Sequence, residues 1–326
     1  MRERTVVLLA AALVPFLIAA GGATAQQSYP EKPIRFISPF PAGGAADTLA
    51  RALAQKVTES SGRQAIVENR TGAGGTIGTD AVAKSAPDGY TVLLGNVSTL
   101  AIAPSLYTKL PYDPNQDFTP VTLVAKSPLV FGVNAALPAK SLPELIALAR
   151  AQPGKLSYGS SGSGSITHLT GELLNAAGKM SIVHIPYKGS PPVLLALLSG
   201  ELDMGVLQVV ELLPHYRSGR IRPLAISGIK RSPAIPEVPT AGEVGVTGLE
   251  ATTWYCVVAP RGVPKPIVDT LQPMLVKAIA SPDVVKRFAD EGVVMESSTP
   301  DELARLIRSD IANWAEVVKR SGVKLD

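Results

Sequence analysis

Three glycine-rich segments contain the residues whose types and spacing could bind an anion: 38–47, 69–78 and 158–165. Glycines let a backbone turn tightly and expose its amides, and a following helix offers unpaired N–H groups and the positive end of its dipole. Each segment by itself also fits an ordinary turn between a strand and a helix. Because two of the three lead into predicted helix N-termini, an anion site and a set of well-capped turns remain equal alternatives. Asp47 by itself fits a first-turn residue favoured by the helix dipole.

Other polar residues stand at the ends of predicted elements farther along the chain. Tyr187 and Lys188 follow a predicted strand and offer a hydroxyl and a cation, and Asp203 begins another strand. An exposed turn and an ordinary surface charge explain these residues equally well. His168 lies in the first turn of a helix after the third glycine-rich segment, from where it could point into a cleft.

Spacing excludes most nucleotide and metal sites. The sequence contains no G-x-x-x-x-G-K-[ST] phosphate loop, and G-x-G-x-x-G fails because Ile77 and Thr167 stand where the third glycine is required. The histidines show neither H-E-x-x-H spacing nor a carboxylate partner at metal-ligand distance. We therefore predict no metal and no cofactor.

One enzyme class remains as an alternative, an exported serine hydrolase acting on a carboxylate. It would use Ser161 or Ser165 with His168, although no third orienting group and no oxyanion partner can be named. No G-x-S-x-G turn fits the serines of 160–165, and the S-x-x-K match at 227–230 lacks its companion motifs. We predict that the protein is not an enzyme.

The N-terminus has the three regions of a secretory signal peptide. Arg2 and Arg4 precede an apolar run over 6–20, and a small-x-small site follows at 23–25. A membrane anchor is the alternative, but spanning a bilayer takes roughly 20 apolar residues and this run is shorter and contains Pro15. We predict a signal peptide over 1–25, cleaved near Ala25, and a periplasmic location.

Composition bounds the class of the mature protein. The chain has 326 residues, of which 46% are hydrophobic and 18% charged, which is a globular composition long enough for two domains. A net charge of +4 with scattered cations and 5% aromatic residues does not fit a nucleic-acid interface. Cys256 is the only cysteine, so no disulfide can form within the chain, and its apolar surroundings predict a buried strand.

Short apolar runs alternate with amphipathic stretches, which is typical of βαβ units and predicts an α/β fold. We predict strands at Ile34–Pro39, Ala65–Asn69 and Tyr90–Gly95, and helices at Asp47–Ser60, Thr76–Ser85 and Ile166–Ala177. Residues 141–144 and 299–302 match the helix capping box.

Two stretches fit chain crossings between two lobes, the extended segment 118–134 and the segment 233–248, which is rich in proline and glycine. They predict a discontinuous first lobe (26–128 plus 250–326) and a continuous second lobe (129–249).

A series of blocks resembles the substrate-binding receptors of the tripartite tricarboxylate transporter family, also called Bug receptors. The resemblance covers essentially the whole mature chain, and the order of the blocks is specific to that family. The blocks are Tyr-Pro-Glu-Lys-Pro at 29–33, the loop at 40–47, Asn-Arg-x-Gly-Ala-Gly-Gly at 69–75, Leu-Pro-Tyr-Asp-Pro at 110–114, Asp-Phe-x-Pro-Val at 117–121, the serine loop with His and Leu at 159–169, Pro-Tyr-Lys-Gly at 186–189, Ala-Ile-Pro-Glu-Val-Pro-Thr at 234–240, Trp254, and Ala-Pro-Arg-Gly at 259–262.

The resemblance implies a bilobal periplasmic-binding-protein fold of type II with a hinged cleft that holds a ligand carboxylate. It also implies that the protein delivers a di- or tricarboxylate or an aromatic acid to membrane transporter subunits, or to a signalling partner if no transporter exists. We further predict that the mature protein is a monomer. The cleft residues carried over are Phe40, Gly43, Gly44, Ala45 and Ala46 from one lobe and Ser161, Ser163 and Ser165 from the other, with Asp203 facing the outer end of the ligand. Residues 199–203 depart from the family, which more often has two glycines there and an aromatic residue shortly after. With Asp47, His168 and Tyr187 these form the predicted ligand site.

Overall fold

The computed structural model describes residues 29–323 and residue 325 and has an α/β fold. The predicted signal peptide lies outside the described residues. The strands are β1 (Ile34–Ser38), β2 (Ala65–Asn69), β3 (Thr91–Asn96), β4 (Phe118–Asn134), β5 (Ser157–Ser160), β6 (Val183–Pro186), β7 (Met204–Gln208), β8 (Ile221–Ile226), β9 (Thr252–Pro260) and β10 (Val294–Met295). The helices are α1 (Ala45–Ser61), α2 (Thr76–Ala83), α3 (Ala103–Leu106), α4 (Leu142–Ala151), α5 (Ile166–Gly178), α6 (Ser190–Ser199), α7 (Val209–Arg217), α8 (Lys265–Ile279), α9 (Pro282–Asp290) and α10 (Pro300–Ser321).

The strands and helices predicted from periodicity are confirmed, with ends that differ by at most two residues. The capping box of α10 is complete, because the Thr299 hydroxyl accepts from the Glu302 amide (3.2 Å) and the Glu302 carboxylate accepts from the Thr299 amide (2.8 Å). In α4 only one of the two bonds forms. Ser141 caps the Glu144 amide, whereas the Glu144 carboxylate accepts from Lys140, one residue earlier than the pattern predicts.

The first half of the sheet has the order β2-β1-β3-β9-β4, with β1 parallel to β2 and β3, and β9 antiparallel to β3 and β4. The predicted apolar stripe of α1, made by Leu49, Leu53 and Val57, is fully buried and shares a core cluster with Leu271 and Leu275 of α8. Because this stripe is buried, it sets which face of α1 packs on the sheet. The N-terminus of α1 then lies beyond the carboxyl end of β1.

The second half continues the sheet from β4 through β7 and β5 to β6, with β8 also paired to β4. Strand β5 is parallel to both β6 and β7. Because β5 and β7 are parallel, their carboxyl ends lie on the same side of the sheet. The loops that follow these strands therefore leave from that side.

Strand β4 belongs to both halves. Its residues 118–128 pair with β9, and residues 129–134 pair with β7 and β8. At the change of partner, the Ser227 hydroxyl accepts from the Leu129 amide (3.0 Å) and donates to the Ala251 carbonyl (2.6 Å). The segment 233–248 lies against β8, since the Ala241 amide donates to the Ile226 carbonyl (2.9 Å), and the chain then enters β9 at Thr252.

The loops that follow the carboxyl ends of strands in the two halves meet each other. The Ile166 amide donates to Ser98 Oγ (3.0 Å), and Gln208 Nε2 donates to Tyr255 Oη (2.5 Å). Over the described part of the chain, no helix combines the length and the apolar character needed to cross a membrane.

Candidate functional site

Two adjoining cavities lie where these loops meet, an inner one of about 30 Å³ and an outer one of about 390 Å³. Phe40, Pro41 and Ser161 line both. The inner cavity is further lined by Gly44, Ala45, Ala46, Asn96, Ser98, Ile166, Thr167, Ser190, Pro191, Gln208, Glu211, Thr253 and Tyr255. The outer cavity is further lined by Pro39, residues 71–75, Tyr107, Gly162, Ser163, residues 186–189 and Leu325.

The first glycine loop brings the N-terminus of α1 to the inner cavity. The first bond between turns of this helix runs from the Thr48 amide to the Gly44 carbonyl (3.0 Å), so the amides of residues 45–47 have no acceptor within the helix. Gly43 adopts a positive φ of 81°, a conformation that favours glycine. The predicted residues Gly44, Ala45 and Ala46 therefore line the inner cavity, whereas Gly43 does not.

Asp47 shapes the loop and lines neither cavity. Its carboxylate accepts from the Gly43 amide (3.0 Å), Arg51 Nε (2.9 Å) and Asn69 Nδ2 (2.9 Å). Burial alone would raise the pKa of Asp47, but these hydrogen bonds outweigh it and lower the pKa. The ionised Asp47 carboxylate therefore stabilises the loop without lining a cavity.

The three predicted serines of the third glycine loop have different surroundings. Ser161 lines both cavities and pairs with Thr167 Oγ1 (2.9 Å), and Ser163 lines the outer cavity. Ser165 is completely buried and caps α5: its hydroxyl donates to the Gly162 carbonyl (2.7 Å) and accepts from the His168 amide (3.3 Å). Ser165 therefore holds the loop and does not face the cavities.

His168 also lies behind the serine loop. Its Nδ1 accepts from the Gly164 amide (3.1 Å), and its ring stacks on that of His184 at 3.8 Å between centroids. Burial lowers the pKa of both histidines, that of His184 to about 3, with His168 as a smaller repulsive cause. The pair is neutral and structural, and the hydroxyls of Ser161 and Ser165 pair with Thr167 rather than with a histidine.

Two predicted residues of the second half remain, of which Tyr187 lines a cavity and Asp203 does not. Tyr187 lines the outer cavity and donates its hydroxyl to the Glu201 carboxylate (3.0 Å). Asp203 is placed differently from the prediction, because it lines neither cavity and its carboxylate accepts from the Ser157 amide (2.8 Å) and hydroxyl (3.1 Å). Since β5 and β7 are parallel, Asp203 and Ser157 share the amino edge of the sheet, opposite the loops.

Several cavity residues were missed in the sequence, and Glu211 is the most prominent. Its Oε1 accepts from the Ala45 amide (3.3 Å) and its Oε2 from the Gln208 amide (3.0 Å). Burial raises the pKa of Glu211 more than its hydrogen bonds lower it. The signal in the sequence is the position of Gln208-x-x-Glu211, directly after a buried apolar run, where a capping pattern places an acid in the first turn of a helix.

Other missed residues of the inner cavity are neutral polar groups near the end of β3 or within β9. Asn96 ends β3, Ser98 follows it, and Thr253 and Tyr255 lie in β9. Among the described residues that line the inner cavity there is no Lys, Arg or His. Any anion there would be held by amides and hydroxyls, whereas the exposed Lys188 lines the outer cavity.

Comparison with known proteins places this geometry in a family. Residues 49–323 match the model of the tripartite tricarboxylate transporter family receptor. The protein BugT of Bordetella pertussis is 41% identical over 96% of this chain and 98% of its own. The R. palustris protein Rpa4515, solved with adipate, superposes with a TM-score of 0.88 at 35% identity over 91% of this chain and 99% of its own. MatC from Rhodopseudomonas palustris, solved with bound malate, gives a TM-score of 0.85 at 34% identity over 89% of this chain and 100% of its own.

Proposed function

The chain belongs to the tripartite tricarboxylate transporter receptor family, and on that premise we propose that it is an extracytoplasmic receptor that captures a small carboxylate between its two lobes and delivers it to a membrane transporter. The relatives solved with adipate and malate support a dicarboxylate among the ligands. Receptors of this kind bind and release their ligand unchanged, so we propose no catalytic role.

The observation that carries this proposal is the cation-free inner cavity at the N-terminus of α1. Of the predicted amide donors, Gly43 is bonded to Asp47 (3.0 Å) and Gly44 to the Pro41 carbonyl (3.4 Å). Ala45 is bonded to Glu211 (3.3 Å), so Ala46 is the one of these four amides that is left for a ligand. Ser161 lines the opposite wall. An amide at a helix N-terminus and a hydroxyl across from it can bind a carboxylate without a fixed positive charge.

The volumes of the two cavities indicate which part of the ligand each one holds. The inner cavity of about 30 Å³ exceeds the roughly 10–15 Å³ that a single water requires, and so has room for the charged end of a ligand. The outer cavity of about 390 Å³ has room for the rest of a small acid, with Lys188 at its wall. A second carboxylate in the outer cavity would therefore meet a cation, which accommodates dicarboxylates.

Capture is proposed to follow lobe closure. The lobes are 26–128 plus 250–326 and 129–249, and the chain passes between them in β4 and again before β9. A ligand favours the closed arrangement only through contacts that it makes better there, and the inner cavity supplies such contacts from both lobes. The closed monomer is then recognised by membrane transporter subunits, or by a signalling partner where no transporter exists.

Export by a signal peptide over 1–25, cleaved near Ala25, belongs to the same proposal. Two solved relatives are described as a periplasmic transporter and a periplasmic binding protein, and the charged, apolar and small-residue regions of the N-terminus support this step. Intact-mass measurement of the exported protein should give a chain that begins at Gln26. A secreted chain that retains Met1 to Ala25 would contradict it.

The experiment that tests the function is a calorimetric and thermal-shift screen of the mature protein against malate, succinate, adipate, citrate and benzoate. A ligand at 100 times its dissociation constant should stabilise the protein by about 2.7 kcal/mol. Each acid should be recovered unchanged by NMR after prolonged incubation. Failure of every carboxylate to bind would overturn the receptor assignment, and conversion of a bound acid into product would favour the serine hydrolase alternative.

A further inference from the structure

We propose that Glu211 determines specificity, and that the inner cavity takes a carboxylate with a protonated amine beside it, whose ammonium group pairs with the Glu211 carboxylate. The inference rests on the proposed function, because it names the chemical class of ligand for the same cavity. Glu211 would then discriminate between ligands that share a carboxylate and differ in the group next to it.

The Glu211 carboxylate lies at the contact between the two halves of the protein. Glu211 lies in the first turn of α7 and bridges the two halves of the protein by accepting from the Ala45 amide (3.3 Å) of α1. It also accepts from the Gln208 amide (3.0 Å) and from the Ser190 hydroxyl at the start of α6. The carboxylate therefore already occupies one of the α1 donors that an incoming anion would use.

The charge of the inner cavity favours a cationic group on the ligand. The described residues lining the inner cavity include no Lys, Arg or His, so Glu211 has no cationic partner there. Its bonds come from neutral donors, and burial raises its pKa. A buried carboxylate without a counter-ion is costly, and an ammonium group supplied by the ligand removes that cost.

The side-chain oxygen of Gln208 offers a second acceptor in the lining of the inner cavity. Gln208 is only 7% exposed, and its Oε1 has no hydrogen-bond partner, while its Nε2 is used by Tyr255 (2.5 Å). A carboxylate has about four lone-pair sites and an ammonium group has three donors. An ammonium group can therefore serve both the Glu211 carboxylate and the Gln208 oxygen, whereas a second carboxylate at the same place would repel Glu211 and leave Gln208 unpaired.

The donors of the inner cavity are divided between Glu211 and the ligand. Because Ala45 is bound to Glu211, we assign the Ala46 amide and the Ser161 hydroxyl to the ligand carboxylate. The ligand then presents an anion to one side of a narrow cavity and a cation to the other. This separation is a property of amino-substituted acids and not of simple dicarboxylates.

The experiment compares acids of equal length that differ only in the amine: aspartate with succinate, and glutamate with glutarate. Isothermal titration calorimetry on the mature wild-type protein should show at least a tenfold preference for one amino-substituted acid over its unsubstituted partner. In the Glu211→Gln variant that preference should fall below threefold, through weaker binding of the amino acid and unchanged or tighter binding of the simple acid.

Glu201→Gln is the matched control, because this carboxylate bonds Tyr187 beside the outer cavity and should leave the preference intact. Equal or tighter wild-type binding of succinate and glutarate would overturn the inference, and that result needs no variant to fold. Equal weakening of both members of a pair by Glu211→Gln would also overturn it, since a merely structural role predicts that outcome. Binding of malate or adipate without binding of either amino acid overturns this inference alone, whereas failure of every acid overturns the proposed function.

Discussion

At the scale of single residues, the polar side chains around the cavities divide into buried ones that hold the loops and partly exposed ones that face the inner cavity. Asp47, Ser165 and His168 satisfy backbone groups of the loops, whereas Ser161 and Glu211 line the inner cavity. Both kinds lie in the same short segments, so residue type alone does not separate them. Their hydrogen-bond partners do.

Ser161 and Ser165 offer a matched pair for testing this division. Ser161→Ala should weaken carboxylate binding about tenfold or more, because a hydrogen bond to a charged group contributes about 1.5–3 kcal/mol. Ser165→Ala should lower the free energy of unfolding by about 1 kcal/mol through loss of a helix cap, and should change the affinity of the folded protein little. Calorimetry and urea unfolding of both variants measure the two effects.

A loss of affinity in Ser165→Ala equal to that in Ser161→Ala would contradict the division. It would mean that the cap residue touches the ligand, and that the loop differs in the liganded protein.

At the scale of elements, the cleft is built where loops from different helices and strands approach closely. Gly189, which precedes α6, has a positive φ of 101°, and a Cβ there would lie 2.6 Å from the ring of Pro41 in the first glycine loop. Only a residue without a side chain allows this approach. Gly189 therefore lets the N-termini of α1 and α6 meet around Glu211.

Gly189→Ala should hold these two loops apart and weaken ligand binding at least about fivefold, since overpacking typically costs about 1–3 kcal/mol. Gly245→Ala is the control, because Gly245 also has a positive φ (81°) but nothing lies within 4 Å of its added Cβ. Calorimetry on both variants, with unfolding curves to compare backbone strain, gives the measurement. Equal affinities in the two variants would show that this contact does not govern closure.

At the scale of the whole molecule, β4 is the structural feature that joins the two halves. One uninterrupted strand changes partner near residue 128, and the return crossing lies beside it, tied by Ser227 to Leu129 and Ala251. Two adjacent extended segments can bend together without breaking either core. We therefore propose that one lobe rotates against the other about these two segments.

Small-angle scattering should show that the mature protein contracts when ligand is added, because closure brings Ser161 and the N-terminus of α1 to the same carboxylate. Ser161→Ala at equal saturation should contract less, since the contact that distinguishes the closed state is lost. A substitution at Ser165 would not test closure, because this residue caps α5 and lines neither cavity. No contraction in the wild type would indicate a preformed closed cleft and remove the hinge from the proposed mechanism.

The sequence by itself determined the elements and the class of fold. Strand and helix ends, the cap of α10, the burial of Cys256 and the extended stretch that became β4 all depend on residues a few positions apart, so their signals are local. The order of the family blocks added the receptor class, and the glycine loops indicated the region of the cavities.

Only the tertiary structure decided which side chains share the cavity. Glu211 meets Ala45 across 166 positions of sequence, and Asp203 lies at the opposite edge of the sheet from the loops. Both outcomes depend on the order and direction of the strands, which place the carboxyl ends of β1, β3, β5 and β7 together and the amino ends apart. Pairing between distant strands leaves no local pattern in the sequence. Glu211, which we propose determines ligand specificity, could therefore be identified only from the tertiary structure.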